Sequence, residues 1–199
     1  MQCRFLAIAL SFAAVACTQE HELYLVTTGD VHGSWFDEPY AGGKKLTSLL
    51  SVSSYVNGLR DSVGADNVLL LDAGDALQGD KAPYYYNYVD TLSPHLFPRI
   101  LSYMGYDAAV LGNHDIETGH PVYDRVTADL ASYGIPFLGG NAIRNDNGKA
   151  YFQDYVILDK GGLKVAIIGF TNPDIKSWLA PEIWEGMTFE NLLTIVQGK

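Results

Sequence analysis

The residues best suited to chemistry fall in three short blocks, each an acidic, imidazole or amide side chain beside glycine. They are Asp30–Val31–His32–Gly33, Gly74–Asp75 and Gly112–Asn113–His114–Asp115. Asp30 and His32 flank one extended residue, so both side chains can face one point. Carboxylate and imidazole donors suit a divalent cation such as Mn, Zn or Fe. Taken singly, an aspartate after a strand caps a turn and a histidine is structural. Three such blocks at successive strand ends point instead to a shared site.

The blocks need a scaffold that brings strand ends together. Residues 23–28, 68–71, 107–111 and 135–138 are short apolar, β-branched runs that read as strands, and the first three run straight into the blocks. Between them, Leu46, Leu49, Leu50, Val52, Val56 and Leu59 recur at helical spacing, predicting a helix over 44–60. Residues 83–104 read as helix in two pieces split near Ser93–Pro94, and 119–133 as a helix closed by Gly134. After Asn141, residues 152–158 and 163–170 read as two strands joined by Asp159–Lys160–Gly161–Gly162, a hairpin. Residues 188–197 read as the start of a helix. The order βαβαβαβ plus a hairpin predicts a layered α/β core, β-sheets flanked by helices, with strands buried on both faces. The C-terminal edge of such a sheet is where loops from successive strands converge.

Composition narrows the function. The chain has 199 residues, with 13 Lys and Arg against 23 Asp and Glu and a formal charge of −10. That balance argues against binding a nucleic-acid duplex, which takes a basic footprint. An anionic small substrate would need local positive charge, such as metal ions provide. The only cysteines, Cys3 and Cys17, exclude a disulfide-stapled fold. Residues 1–16 hold one charge, Arg4, before an apolar run too short to span a bilayer, and read as a signal peptide. Ala14–Val15–Ala16–Cys17 resembles the lipobox of bacterial lipoproteins, in which Cys17 would be lipidated. Plain secretion is the alternative. Either way the protein is expected to be exported, as a periplasmic or outer-membrane-associated protein of a bacterium that meets the membrane only through a lipid anchor.

The three blocks and their spacing resemble the calcineurin-like metallophosphoesterases, closest to the secreted 5′-nucleotidase and 2′,3′-cyclic-nucleotide phosphodiesterase group. The matching segments are Gly29–Asp30–Val31–His32–Gly33, Asp72–Ala73–Gly74–Asp75 and Leu111–Gly112–Asn113–His114–Asp115. The resemblance covers about 22–199, as a partial domain of that type, incomplete at its C-terminus. It implies two divalent cations and a nucleotide or other small phosphoester substrate, with no protein partner. Asp30 and His32 would hold the first cation, Asp75 would bridge both, and Asn113 would hold the second. His114 would contact the phosphoryl group or protonate the leaving oxygen. Two cations about 3.5–4 Å apart offset phosphoryl charge and acidify a water, giving hydroxide near neutral pH.

Asp115 or Glu117 is placed to accept the other ring N–H of His114. Relatives carry Asn–His–Glu–Phe–Asp, whose last Asp pairs with the histidine; Glu117 stands there here, with a longer side chain. The family's later metal-binding histidines, including a Gly-His-x-His block, have no counterpart. His95 and His120 sit at expected helix starts and read as structural. The chain is therefore expected to hydrolyse phosphoesters weakly or not at all by itself, with an open sheet edge after 163–170. Two alternatives stand beside the enzyme: a non-catalytic surface lipoprotein or degenerate remnant, and a carbohydrate- or peptide-binding module using Trp35, Phe36 and Tyr84–Tyr85–Tyr86.

Overall fold

The computed structural model describes residues 20–37 and 48–197. The expected signal peptide, Cys17 and the first residues of the expected 44–60 helix lie outside the described residues. Four strands form one parallel sheet in sequence order: β1 (Tyr24–Thr28), β2 (Val68–Asp72), β3 (Ala108–Val110) and β4 (Phe137–Leu138). The crossovers contain α1 (Leu49–Val63), then α2 (Lys81–Tyr84), a π-helix (Tyr85–Val89) and α3 (Leu96–Met104), then α4 (Asn113–Ile116) and α5 (His120–Ser132).

Side-chain alternation builds three layers. Leu70 and Ala109 face one way, into a core with Leu49 and Val56 of α1, Phe97 and Leu101 of α3, and Val126 and Leu130 of α5. Leu69, Leu71 and Ala108 face the other way. There they meet Val156, Leu158, Val165 and Ile167 of an antiparallel hairpin, β6 (Tyr155–Lys160) with β7 (Leu163–Ile168). Period-two alternation thus serves two apolar faces at once, so β2 reads as an unbroken apolar run and is almost wholly buried. Burying a leucine on either face contributes about 1.5–3 kcal/mol.

Helix ends follow the punctuation. Ser48 caps α1 by accepting from Ser51 N–H, and Gly105 closes α3 in a left-handed conformation. His95 caps α3: its Nδ1 accepts from Phe97 N–H at 3.2 Å, and its Nε2–H donates to Asn87 Oδ1 at 2.9 Å. Burial holds this imidazole neutral, its pKa lowered to about 3. The structural role expected for His95 is the one observed.

Four expectations change. The strand β1 is an edge, pairing only with β2 among the described residues, and Leu25 on it is exposed; burial on both faces fails there because neither apolar layer packs over that side chain. Residues 187–189 form a strand, β8 (Met187–Phe189), antiparallel to β5 (Ala142–Arg144), and helix begins only at α6 (Leu192–Gln197). Thr188 and Phe189 are themselves strand formers, and pairing across some forty residues gives them a partner. Asn113 and His114, read as loop, lie in the first turn of α4. Trp35 is buried and stacks on Phe97 at 6.0 Å, so it belongs to the core and offers no binding surface.

Candidate metal centre

The site lies where β1, β2 and β3 end. Asp30, His32 and Asp75 are the non-glycine residues with left-handed backbone among the described residues, at φ 52°, 45° and 60°. Each such conformation costs of order 1–3 kcal/mol and persists only where surrounding structure enforces it. Here the loops after β1 and β2 enforce it on each other: Asp30 N–H donates to Gly74 O at 3.0 Å and His32 N–H to Asp75 O at 2.9 Å. Gly74 itself sits at φ +96°, where a Cβ would lie 2.6 Å from Gly112 N.

Asp115 clamps the second loop to the third. One carboxylate oxygen accepts from Ala76 N–H (2.9 Å) and Leu77 N–H (2.8 Å), the other from Asp75 N–H (3.0 Å) and Gly112 N–H (2.8 Å). Burial pushes its pKa up, and the backbone donors pull it back. Asp115 therefore does not serve His114, one of the two roles open to it; its side chain is committed to the backbone. Beside it, Asp72 is buried, its pKa raised to about 8 by desolvation and then by the Asp115 charge. It is steadied by Thr28 Oγ1–H at 2.8 Å and Gly74 N–H at 3.2 Å.

The frame turns functional groups outward. Ligand-capable atoms of His32, Asp75 and His114 all lie within 4.8 Å of one another, a group able to hold a metal ion. Asp75 Oδ1 accepts from His114 N–H at 2.8 Å, tying the second block to the third. His32 Nδ1 lies 3.1 Å from Gln78 O, which only a ring N–H can satisfy, so Nε2 carries the lone pair. That Nε2 faces Asp30 Oδ1 at 3.9 Å, and the Asp30 side chain is 83% exposed. The His32 and His114 rings meet edge to face at 5.0 Å. His114 Nδ1 lies 3.0 Å from Glu117 Oε1, at ion-pair distance though off the line of a hydrogen bond, and Gln78 Nε2 donates to Glu117 Oε2 at 2.8 Å.

The structure thus brings Asp30, His32, Asp75, His114 and Glu117 to one corner. Asn113 stands beside them, half-buried at the start of α4. His114, expected beside the metals, falls inside the triad. His120 lies elsewhere, its ring between Tyr151, Asp124 and the Glu185 carbonyl. Gln78 was missed: it orients His32 through its carbonyl and Glu117 through its amide. The only signal was its position three residues after Asp75, since a backbone carbonyl carries no residue-type mark.

A solved calcineurin-like phosphoesterase, YfkN of Bacillus subtilis, superposes with TM-score 0.74 at 22% identity, over 89% of this chain and 57% of that one. The chain has the calcineurin-like phosphoesterase fold. A 5′-nucleotidase precursor from Thermus thermophilus superposes with TM-score 0.63 at 26% identity, over 88% of this chain and 33% of that one. In sequence, a 5′-nucleotidase of Vibrio parahaemolyticus is 29% identical over 186 residues, 88% of this chain and 31% of that protein. The chain is thus related to bacterial 5′-nucleotidases and spans about a third of the length of the curated relatives it matches. No family model matches it.

Proposed function

We propose that this chain is part of a metal-dependent phosphoesterase that hydrolyses nucleotides or related small phosphoesters. One observation carries the reading: His32, Asp75 and His114 converge within 4.8 Å, two of them on left-handed backbone. The nitrogen and carboxylate donors fit Mn, Zn or Fe. Asp30, His32, Asp75 and Asn113 would hold two divalent cations, which supply charge neutralisation and an acidified water.

The chain's own groups do the rest. Gln78 O fixes the His32 tautomer, leaving Nε2 to bind a cation. The His114 N–H holds Asp75 Oδ1 in place. Glu117 lies at ion-pair distance from His114 Nδ1, so Nε2 is the ring nitrogen left to face the leaving oxygen. Arg4, the apolar run after it and Cys17 support export from a bacterial cell with a lipid anchor, residues 1–16 being removed and 22–199 forming the partial catalytic domain.

The test is Mn²⁺ binding by calorimetry, followed by turnover of bis-p-nitrophenyl phosphate. Asp75→Asn should weaken Mn²⁺ binding at least tenfold. His114→Ala should abolish whatever turnover the wild type shows. Unchanged Mn²⁺ affinity in Asp75→Asn would defeat the reading. Tight Mn²⁺ binding without turnover would favour the non-catalytic remnant.

A further inference from the structure

The end of the parallel sheet opposite the metal centre carries features that the site does not use. The four strands start there, and α1, α3 and α5, which run back between them, finish there. The N-terminal segment is tied down at this end. His21 Nδ1 lies 2.7 Å from Gly161 O, so a ring N–H donates to that carbonyl. The ring also sits tight against the turn between β6 and β7: a Cβ on Gly162 would fall 2.6 Å from its Cε1. Cys17 stands four residues before this clamp, a length of chain that reaches about 14 Å when fully extended. The strand β1 alone rises about 17 Å from Tyr24 to Thr28, and the metal centre lies beyond it.

The same end exposes phenols. Tyr103, in the last turn of α3, is 84% exposed; Tyr133, just after α5, is 43% exposed; and Tyr24 opens β1 at the surface. A ring with an apolar body and a polar tip suits the boundary between lipid headgroups and acyl chains. Charge does not favour a lipid surface here. Arg60 donates to the Met104 and Gly105 carbonyls, Lys160 pairs with Asp107 and Lys164 with Asp159. Glu20, Glu22, Asp61 and Asp66 are exposed beside them. Anionic headgroups are drawn to clustered basic side chains, and the described residues at this end offer none unpaired. Any hold on a bilayer must therefore come from the covalent leash and the phenols.

We infer that the end of the chain where its strands begin is seated on a lipid bilayer, with Tyr103 and Tyr133 at the headgroup boundary and the metal centre turned to the water. The seat rests on the reading of Cys17 as a lipid anchor. A leash by itself would also let the chain lie on its β1 edge, where Leu25 is exposed. The phenols on α3 and α5 stand away from that edge and favour the upright seat. Upright, the metal centre stands about the height of β1 above the headgroups, so it meets phosphoesters in solution and not those of the lipids themselves.

The experiment separates the seat from the anchor. The full chain is produced in a bacterium and the purified protein is placed in phosphatidylcholine vesicles whose headgroups carry a nitroxide. Loss of residues 1–16 removes Cys3 and acylation consumes the Cys17 thiol, so a single added cysteine takes the only fluorophore. A fluorophore on Asp66→Cys should be quenched. One on Lys81→Cys should not be, since Lys81 follows Asp80, which packs on Gly33 beside His32. Equal quenching at the two positions of acylated protein, or stronger quenching at Lys81→Cys, would overturn the seat and leave the anchor standing. Tyr103→Ser/Tyr133→Ser should narrow the difference, and an unchanged difference would overturn the role given to the phenols. Cys17→Ser protein should not bind neutral or anionic vesicles; binding would mean that a surface patch, and not the leash, makes the seat. An intact mass without an acyl chain on Cys17 would sink the anchor, and the seat with it.

Discussion

The strand-end corner and the β6–β7 hairpin sit on one sheet and are held by opposite means. At the corner, a buried carboxylate accepts four backbone N–H groups and three non-glycine residues are kept in left-handed backbone. The hairpin lies on the sheet mainly through apolar side chains, with Lys160 pairing with Asp107 at 2.7 Å and donating to Val68 O at 3.2 Å. Its outer face leaves Tyr155, Ile157 and Ile168 exposed. Directional bonds in a buried network fix atom positions, whereas apolar contact fixes a layer and tolerates sliding. The difference shows where this chain needs accuracy and where it needs only cover.

The sharpest way to break that contrast is Asp115→Ala, which strands four buried or half-buried N–H groups at once. It should cost about 3–5 kcal/mol, read as a fall in the urea midpoint. A loss under about 1 kcal/mol would mean the corner is held by something else. Gly74→Ala comes next. It forces a Cβ into left-handed backbone 2.6 Å from Gly112 N, with an expected cost of about 2–3 kcal/mol and a matching drop in Mn²⁺ affinity. Retained Mn²⁺ affinity would show that the corner adapts.

Lys160→Met tests the other region. It leaves Asp107 with Leu70 N–H as its partner and should cost about 1–2 kcal/mol. Hydrogen exchange should quicken in β6 and β7 while amides of residues 72–77 keep their protection. Faster exchange at both would couple regions described here as separate.

The smallest effect per step is on pH dependence, read one pH unit at a time. The Asp72 pKa is raised from 3.8 to about 8, so between those values the folded state binds more protons than the unfolded. Its contribution is present at low pH and is lost as pH rises towards 8, with a slope of at most about 1.4 kcal/mol per pH unit. His95 acts the other way: with its pKa lowered from 6.5 to about 3, its contribution is present above 6.5 and is lost as pH falls towards 3. The two oppose each other from about pH 4 to 6.5, and only Asp72 acts from 6.5 to 8. Asp72→Asn should flatten that upper window in thermal melts. A slope that survives the substitution would assign it to another group.

Much of the site was legible because it is written in side chains next to breaks in apolar runs. Asp30, His32, Asp75 and His114 each follow a strand that announces itself by β-branched and aliphatic residues, and parallel strands with helical crossovers have to end on the same edge. Gln78 and Asp115 were not legible in those roles. Gln78 orients His32 through a main-chain carbonyl, and Asp115 is spent on main-chain donors. The β5–β8 pairing was invisible for a related reason: strands of three residues show no period, and only their meeting across the fold makes them strands.

The chain order of strands, crossovers and hairpin, and the kinds of atoms available for a cation, were thus settled by local sequence, since apolar periodicity and donor chemistry belong to neighbouring residues. Which nitrogen of His32 faces outward, which acid lies beside His114 and that Trp35 is core were decided only when distant segments met. Tautomers, buried carboxylates and exposed rings are properties of surroundings, and the surroundings come from loops separated by some forty residues of chain.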